Sequence, residues 1–149
     1  MKRPFRSFSL LFVLLTIGCG PAGQHFHGTY SVAGTTTLTL TGYRSQTEQF
    51  TGIRRISEGT AADLILSDPS GQCLLPANVE GDVATVTTGA SCTESANGVT
   101  VTMTVTNGTA SISGDVIQLR LTGTLTMTSE GMTYPGSFSE SSTLTRVAK

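Results

Sequence analysis

The stretch VTVTMTVTNGTASI, residues 99–112, decides the fold of this chain. Its first eight residues alternate strictly between an apolar side chain and threonine. Because successive side chains of a β-strand point to opposite faces, this alternation predicts a strand with one buried face. Asn107-Gly108 follows directly, and this dipeptide favours the type I′ turn of a two-residue hairpin. We therefore predict a hairpin over residues 99–112 that turns at Asn107-Gly108.

Apolar residues recur with period two on both sides of this segment. Phe26, Tyr30 and Val32 are predicted to share one face of a first strand, and Leu64 and Leu66 one face of another. The other apolar positions in such runs are Leu38, Leu40, Cys73, Leu75, Ala77, Val79, Ile117, Leu119, Leu121, Leu125, Met127, Phe138 and Leu144. Gly123 interrupts the longest run and is the predicted site of a bend.

This pattern predicts an all-β fold of eight to ten strands joined by tight turns. Thr and Val suit such strands, because β-branched side chains pack well on a pleated surface. Strands that follow one another through short turns form an antiparallel meander, and closing the meander into a small barrel removes its exposed edges. The alternative is a two-sheet β-sandwich.

The N-terminal residues are typical of a processing segment. Lys2, Arg3 and Arg6 precede the apolar run LLFVLL at residues 10–15. This run is too short to span a bilayer, which takes roughly 20 residues. It ends at Thr16-Ile17-Gly18-Cys19, which resembles the lipobox of bacterial lipoproteins.

The resemblance implies cleavage before Cys19 and acylation of that cysteine. Residues 1–18 would then be a signal peptide, residues 19–25 the lipidated cysteine and a tether, and residues 26–149 a single all-β domain. Gly20 rather than Asp follows the cysteine, which in this family implies the outer membrane of a Gram-negative bacterium, on its periplasmic face or at the cell surface. The alternative is ordinary cleavage near Ala22, with Cys19 unmodified or discarded.

A second resemblance concerns the two ends of the predicted domain. Gly28-Thr29-Tyr30 is similar to the G-x-W opening of the lipocalins, with Tyr in place of Trp. Arg146 falls where that superfamily often has a basic residue that packs over the opening aromatic. This resemblance implies a small calycin-like barrel.

Charge and composition argue against nucleic acid as a partner. Of the nine Lys and Arg residues, three lie in the predicted signal peptide, so the ten Asp and Glu residues outnumber the rest. The mature chain has no basic run, and nucleic acid binding depends on one.

Cys73 and Cys92 form an even pair in a chain predicted to be exported. An oxidising compartment favours a disulfide, which would close a loop of about 20 residues and contribute roughly 3 kcal/mol. The alternative is two free buried thiols. We expect the bond to join two strands, with Cys73 facing the interior.

His25 and His27 form an H-x-H motif at the start of the first predicted strand. Two imidazoles on one strand face resemble half of a zinc or copper site. A third histidine is lacking, and both residues alternate with Phe26. We therefore expect an exposed strand start and no bound metal or other cofactor.

Catalytic patterns are weak. The sequence contains no G-x-S-x-G motif for a nucleophilic serine. Carboxylates that could work in pairs are Asp63, Asp68, Glu80, Asp82 and Glu94, but they fall among turn residues. We expect that the protein is not an enzyme.

Two functions are compatible with the sequence. The first is a membrane-anchored envelope lipoprotein that binds a small apolar ligand in its barrel or docks an envelope protein. The second is a structural or surface module whose hydroxyl-rich face contacts polysaccharide or peptidoglycan. An apolar pocket of about 300 Å³ or more would favour ligand binding, whereas a filled interior would favour the second function.

Overall fold

The computed structural model describes residues 22–68 and 70–148, and it is built almost entirely from β-strands. A single turn of 3-10 helix, Gln24–Phe26, precedes the first strand. The strands are β1 (Gly28–Leu40), β2 (Gln46–Glu58), β3 (Leu64–Ser67), β4 (Leu74–Glu80), β5 (Val83–Val86), β6 (Ser91–Ala96), β7 (Val99–Ser113), β8 (Val116–Ser129) and β9 (Met132–Ala148).

The nine strands form one antiparallel sheet that curls on itself. The order is β5-β4-β3-β2-β1-β9-β8-β7-β6, and a further ladder joins β5 to β7. That ladder completes a ring of hydrogen bonds through every strand except β6. The prediction of an all-β antiparallel meander that closes on itself is confirmed.

The two ends of the ring differ in how they are filled. The closed end carries the 3-10 helix and the turns at Gly81-Asp82 and Gly114-Asp115, and most of the core lies there. The open end carries the turns at residues 41–45, 97–98 and 130–131. Completely buried side chains toward the closed end are Phe26, Tyr30, Leu64, Ala77, Ala84, Ala110, Ile117, Leu119 and Leu144.

The long strands extend past this core toward the open end. Inward residues of β1 and β7 change there from buried to half-buried, as at Leu38, Leu40 and Val101. These half-buried apolar side chains surround a space that no side chain fills completely.

The predicted turn at Asn107-Gly108 is wrong. Strand β7 runs through both residues, and its pairing with β8 shifts register between Val105 and Asn107. A Cβ at position 108 would lie 2.7 Å from Leu121 Cδ2 and 2.8 Å from Val86 Cβ, so the glycine fits where a side chain would clash. The dipeptide therefore lies at a bulge, in a closely packed part of the ring.

A different Asn-Gly pair forms the turn. Asn97 and Gly98 connect β6 to β7 with φ angles of 51° and 77°. Positive φ at both central residues is what a type I′ turn requires. The turn after β7 lies at Gly114-Asp115.

Gly123 allows its neighbours to pack closely. It pairs with Val105 beside the bulge, and a Cβ there would lie 2.0 Å from the Thr104 carbonyl oxygen and 2.6 Å from Phe138 Cε1. Any side chain at this position would displace backbone.

The predicted signal peptide and Cys19 lie outside the described residues. Residues 22–25, predicted to belong to the tether, form a turn and the first two residues of the 3-10 helix. No helix in the described part of the chain is long and apolar enough to cross a membrane.

Candidate functional site

The open end of the ring contains a cavity of about 530 Å³ that is partly open to solvent. Its wall is mostly apolar and includes Leu38, Phe50, Met103 and Phe138. A second cavity of about 440 Å³, nearer the mouth, shares Leu38 and Val101 with the first. The two cavities therefore adjoin at these side chains, and the second one extends toward the open end.

Strand register brings the apolar wall residues together. Leu38 lies opposite Phe138 on β9, and Gly34 lies between Phe50 on β2 and Ser142 on β9. A Cβ at position 34 would lie 2.5 Å from Ser142 Cβ. The inward-facing residues of β1 thus form one wall of the cavity. Because Gly34 has no side chain, Ser142 of β9 can pack closely against β1 at this position.

A polar group lies in the wall of this apolar space. Arg54 on β2 and Glu140 on β9 both line the cavity, and their side chains are only 15% and 12% exposed. Arg54 Nη1 lies 3.8 Å from Glu140 Oε1, beyond hydrogen-bond distance. Glu140 Oε1 accepts a hydrogen bond of 2.9 Å from the buried Ser142 hydroxyl.

Arg54 Nη1 is buried and has no hydrogen-bond partner among the described residues. A buried donor without a partner costs free energy, because it has lost its hydrogen bonds to water. Such a donor in a cavity wall is positioned to bind an acceptor atom of a ligand.

The disulfide Cys73–Cys92 closes the cavity wall on one side. Cys73 directly precedes β4, Cys92 lies in β6, and their Cα atoms are 4.8 Å apart. In the described part of the chain, β6 pairs only with β7, so β4 and β6 meet without a ladder between them. The disulfide therefore joins the start of β4 to β6 at a place in the cavity wall where no backbone hydrogen bonds connect the two strands.

The loop before Cys73 is held by Asp68. Hydrogen bonds from the Ser70 hydroxyl and the Cys73 N–H keep the pKa of Asp68 below its usual value. The carboxylate is thus ionised at neutral pH and fixes the approach of the chain to the disulfide.

The closed end is sealed by Tyr30 and Arg146. The guanidinium carbon of Arg146 lies 4.9 Å from the centre of the Tyr30 ring, the contact that the lipocalin resemblance implies. The Tyr30 hydroxyl donates a hydrogen bond of 2.8 Å to the Phe26 carbonyl. Burial raises the pKa of Tyr30, and the nearby charge of Arg146 opposes that rise.

The two histidines do not share a strand face. His25 belongs to the 3-10 helix, where its Nε2 lies 3.5 Å from Asp82 Oδ1, and His27 precedes β1. No group of three or more metal-ligating side chains occurs in the described ranges. The pair of imidazoles on one strand face that the H-x-H motif suggested is therefore not formed.

The predicted carboxylate candidates are dispersed. Asp63 accepts a hydrogen bond of 2.8 Å from the Val79 N–H, and Asp82 faces His25. Asp68 and Glu94 line the cavity near the disulfide, while Glu80 ends β4. Asp63 and Asp68 thus have structural partners in turns and loops.

Arg54 and Glu140 were missed from the sequence, although a signal was present. Arg54 is in phase with Phe50 and Ile56 along β2, and Glu140 is in phase with Phe138 along β9. A charged residue at an inward position of a strand is a candidate for a functional site.

Comparisons of this chain with protein-family models, with curated proteins and with solved structures found no match.

Proposed function

We propose that this protein is a non-enzymatic, lipid-anchored envelope protein whose β-ring binds a small apolar molecule. The observation that carries the proposal is the apolar cavity of about 530 Å³ at the open end. Ligand sites in proteins are commonly concave, mostly apolar and about 300–1,000 Å³ in volume. The lipobox-like sequence at residues 16–19 supports the anchor, and Gly20 after the cysteine supports a location at the outer membrane.

The hydroxyl-rich outer surface gives less support to polysaccharide binding. Several of its hydroxyls bond to one another across strands, as in Thr37–Thr47 at 2.8 Å and Thr93–Thr102 at 3.0 Å. Such pairs stabilise the sheet itself. The exposed Tyr43 packs edge-to-face with Tyr134 beside the mouth of the cavity, so this aromatic pair favours the cavity as the binding site.

The test is a binding titration with the neutral apolar fluorophore N-phenyl-1-naphthylamine. The chain should carry Cys19→Ala, which removes the acylation site and the need for a competing detergent. We expect saturable binding to one site, with the fluorescence increase that an apolar environment produces.

A pair of variants locates the binding. Val101→Trp fills the space where the two cavities meet and should abolish the fluorescence increase. Val83→Trp makes the same change at a position 42% exposed near the closed end and should leave it unaltered. Absence of saturable binding, or equal binding by Val101→Trp, would contradict the proposal.

A further inference from the structure

The cavity combines one unsatisfied hydrogen-bond donor with an excess of negative charge. The donor is Arg54 Nη1, and Glu140 Oε1 lies 3.8 Å away from it. Arg54 is the only cationic side chain among the residues that line the larger cavity. The carboxylates in that lining are Glu48, Asp68, Glu94 and Glu140.

This arrangement disfavours a ligand with a negatively charged head. A carboxylate that accepts a hydrogen bond from Arg54 would lie next to Glu140, which already faces the same guanidinium. Like charges repel more strongly where solvent screening is reduced, as at the Arg54 and Glu140 side chains, which are only 15% and 12% exposed. Closer to the surface, Glu48 and Glu94 add to this repulsion, and Arg44 in the lining of the second cavity offsets part of it.

A positively charged head is disfavoured for a different reason. An ammonium group has only donors and would leave Arg54 Nη1 without its acceptor. The carboxylates of the lining could pair with an ammonium group, but Arg54 Nη1 would still lack an acceptor. The group that gives Arg54 Nη1 an acceptor without placing another carboxylate beside Glu140 is an uncharged oxygen.

The apolar wall determines how such a ligand lies. From Arg54 and Glu140 the cavity continues toward the mouth along Leu38, Phe50 and Met103. The adjoining cavity then extends it past Leu125 and Met127. A chain of methylene groups directed to the open end would bury its surface along this whole path.

We propose, on the basis of the binding function above, that the ligand is a neutral amphiphile. Its uncharged oxygen (that of an ester, amide or alcohol) accepts a hydrogen bond from Arg54 Nη1, and its apolar chain points to the open end. Free fatty acids and long-chain amines of equal length bind more weakly.

The experiment compares four probes of equal chain length. Lauric acid as its anion, methyl laurate, 1-dodecanol and protonated dodecylamine each compete with N-phenyl-1-naphthylamine for the full chain carrying Cys19→Ala. We expect methyl laurate and 1-dodecanol to displace the fluorophore at concentrations roughly tenfold or more below those that either charged probe requires. A factor of this size corresponds to the free-energy cost of leaving a buried donor without a hydrogen bond.

Variants of Arg54 and Glu140 test whether Arg54 recognises the uncharged oxygen. Arg54→Met should weaken methyl laurate about tenfold, the size expected for a hydrogen bond to a charged donor, when its affinity is expressed relative to that of the same variant for the fluorophore. Arg55→Met makes the same substitution at the next, exposed residue of β2 and should weaken neither. Glu140→Gln removes the negative charge beside Arg54, so laurate should bind more tightly to this variant than to the unaltered protein.

Other results separate the two proposals. If laurate or dodecylamine binds most tightly, or if all four probes bind equally, the neutral-amphiphile proposal is wrong and the binding function remains. If Arg54→Met leaves the order of probes unchanged, Arg54 is not the recognition group. If neither the fluorophore nor any probe binds, the proposed function itself fails.

Discussion

Arg146 connects more of the closed end than any other single side chain described above. Its Nε donates a hydrogen bond of 2.9 Å to Asp115 Oδ1, and Nη2 donates one of 2.6 Å to the His25 carbonyl. Nη1 donates to the His27 carbonyl, while the guanidinium plane covers Tyr30. Only a planar fork of donors can make these contacts together.

We therefore expect Arg146→Lys to destabilise the protein although the charge is kept. The loss of two charged hydrogen bonds and of ring stacking should lower the free energy of unfolding by about 2–4 kcal/mol. Urea unfolding measures this, and the exposed Arg120→Lys serves as the control with a change within about 0.5 kcal/mol. Equal stability of the two variants would show that the fork is not needed.

Gly123 and Gly52 give opposite expectations for the same substitution. Gly123→Ala places a methyl group 2.0 Å from the Thr104 carbonyl oxygen and should cost about 1–3 kcal/mol or more through displaced backbone. At Gly52 an added methyl group would meet no other atom within 4 Å, so Gly52→Ala should be neutral or stabilising by up to about 1 kcal/mol. Thermal unfolding of both variants tests the contrast, and a destabilised Gly52→Ala with an unaffected Gly123→Ala would refute it.

Among the elements, β6 is attached most weakly, because its ladder to β7 is supplemented mainly by the disulfide. Cys73→Ala/Cys92→Ala should lower the free energy of unfolding by about 3 kcal/mol and the melting temperature by several degrees. The protein should keep its β circular dichroism. Since both cysteines line the cavity, binding of N-phenyl-1-naphthylamine should weaken as well.

The bond itself is checked by counting thiols. In the Cys19→Ala chain, unfolded without reductant, we expect none to react. Two reactive thiols would show that Cys73 and Cys92 are not joined, whatever the melting temperature.

The elements that sequence predicts well are those with a continuous apolar face. Ile117, Leu119, Leu121 and Leu125 alternate along β8, and all four are buried. Strand β2 is different: it is 13 residues long, and its inward positions near the mouth include Gln46 and Glu48. A strand that borders a solvent-filled opening needs no apolar alternation, so periodicity did not reveal it.

The turns illustrate a second limit of local sequence. Asn97-Gly98 and Asn107-Gly108 carry the same turn chemistry, yet only the first forms a turn. Gly108 instead packs beneath Leu121 and Val86, residues that are distant in sequence. Tertiary packing thus decides which of the two Asn-Gly pairs forms the turn. Tertiary packing also places Arg54 beside Glu140, residues on different strands.

At the scale of the whole molecule, the proposed anchor predicts where the protein is found in the cell. Cys19→Ala should shift it from the membrane fraction to a soluble or unprocessed form, because a lipid anchor depends on acylation of that sulfur. Fractionation followed by immunoblotting measures this, because an unprocessed chain keeps its signal peptide and is larger. A membrane-associated band of mature size would contradict the anchor. On a sucrose gradient the unaltered protein should sediment with the outer membrane, and residence in the inner membrane would overturn that assignment alone.

The chain enters the β-ring at its closed end, since the 3-10 helix packs there through the buried Phe26. Cys19 precedes Ala22 by three residues, so attachment at Cys19 would keep this end within about 10 Å of the bilayer surface. With the ring axis perpendicular to the membrane, the mouth would lie about 30 Å farther out, the axial length of a tilted strand such as the 13-residue β1. In that orientation a ligand could not slide from the supporting leaflet into the ring. It would have to cross water or be handed over by a second molecule, so exchange would be governed by encounters on the side facing away from the membrane.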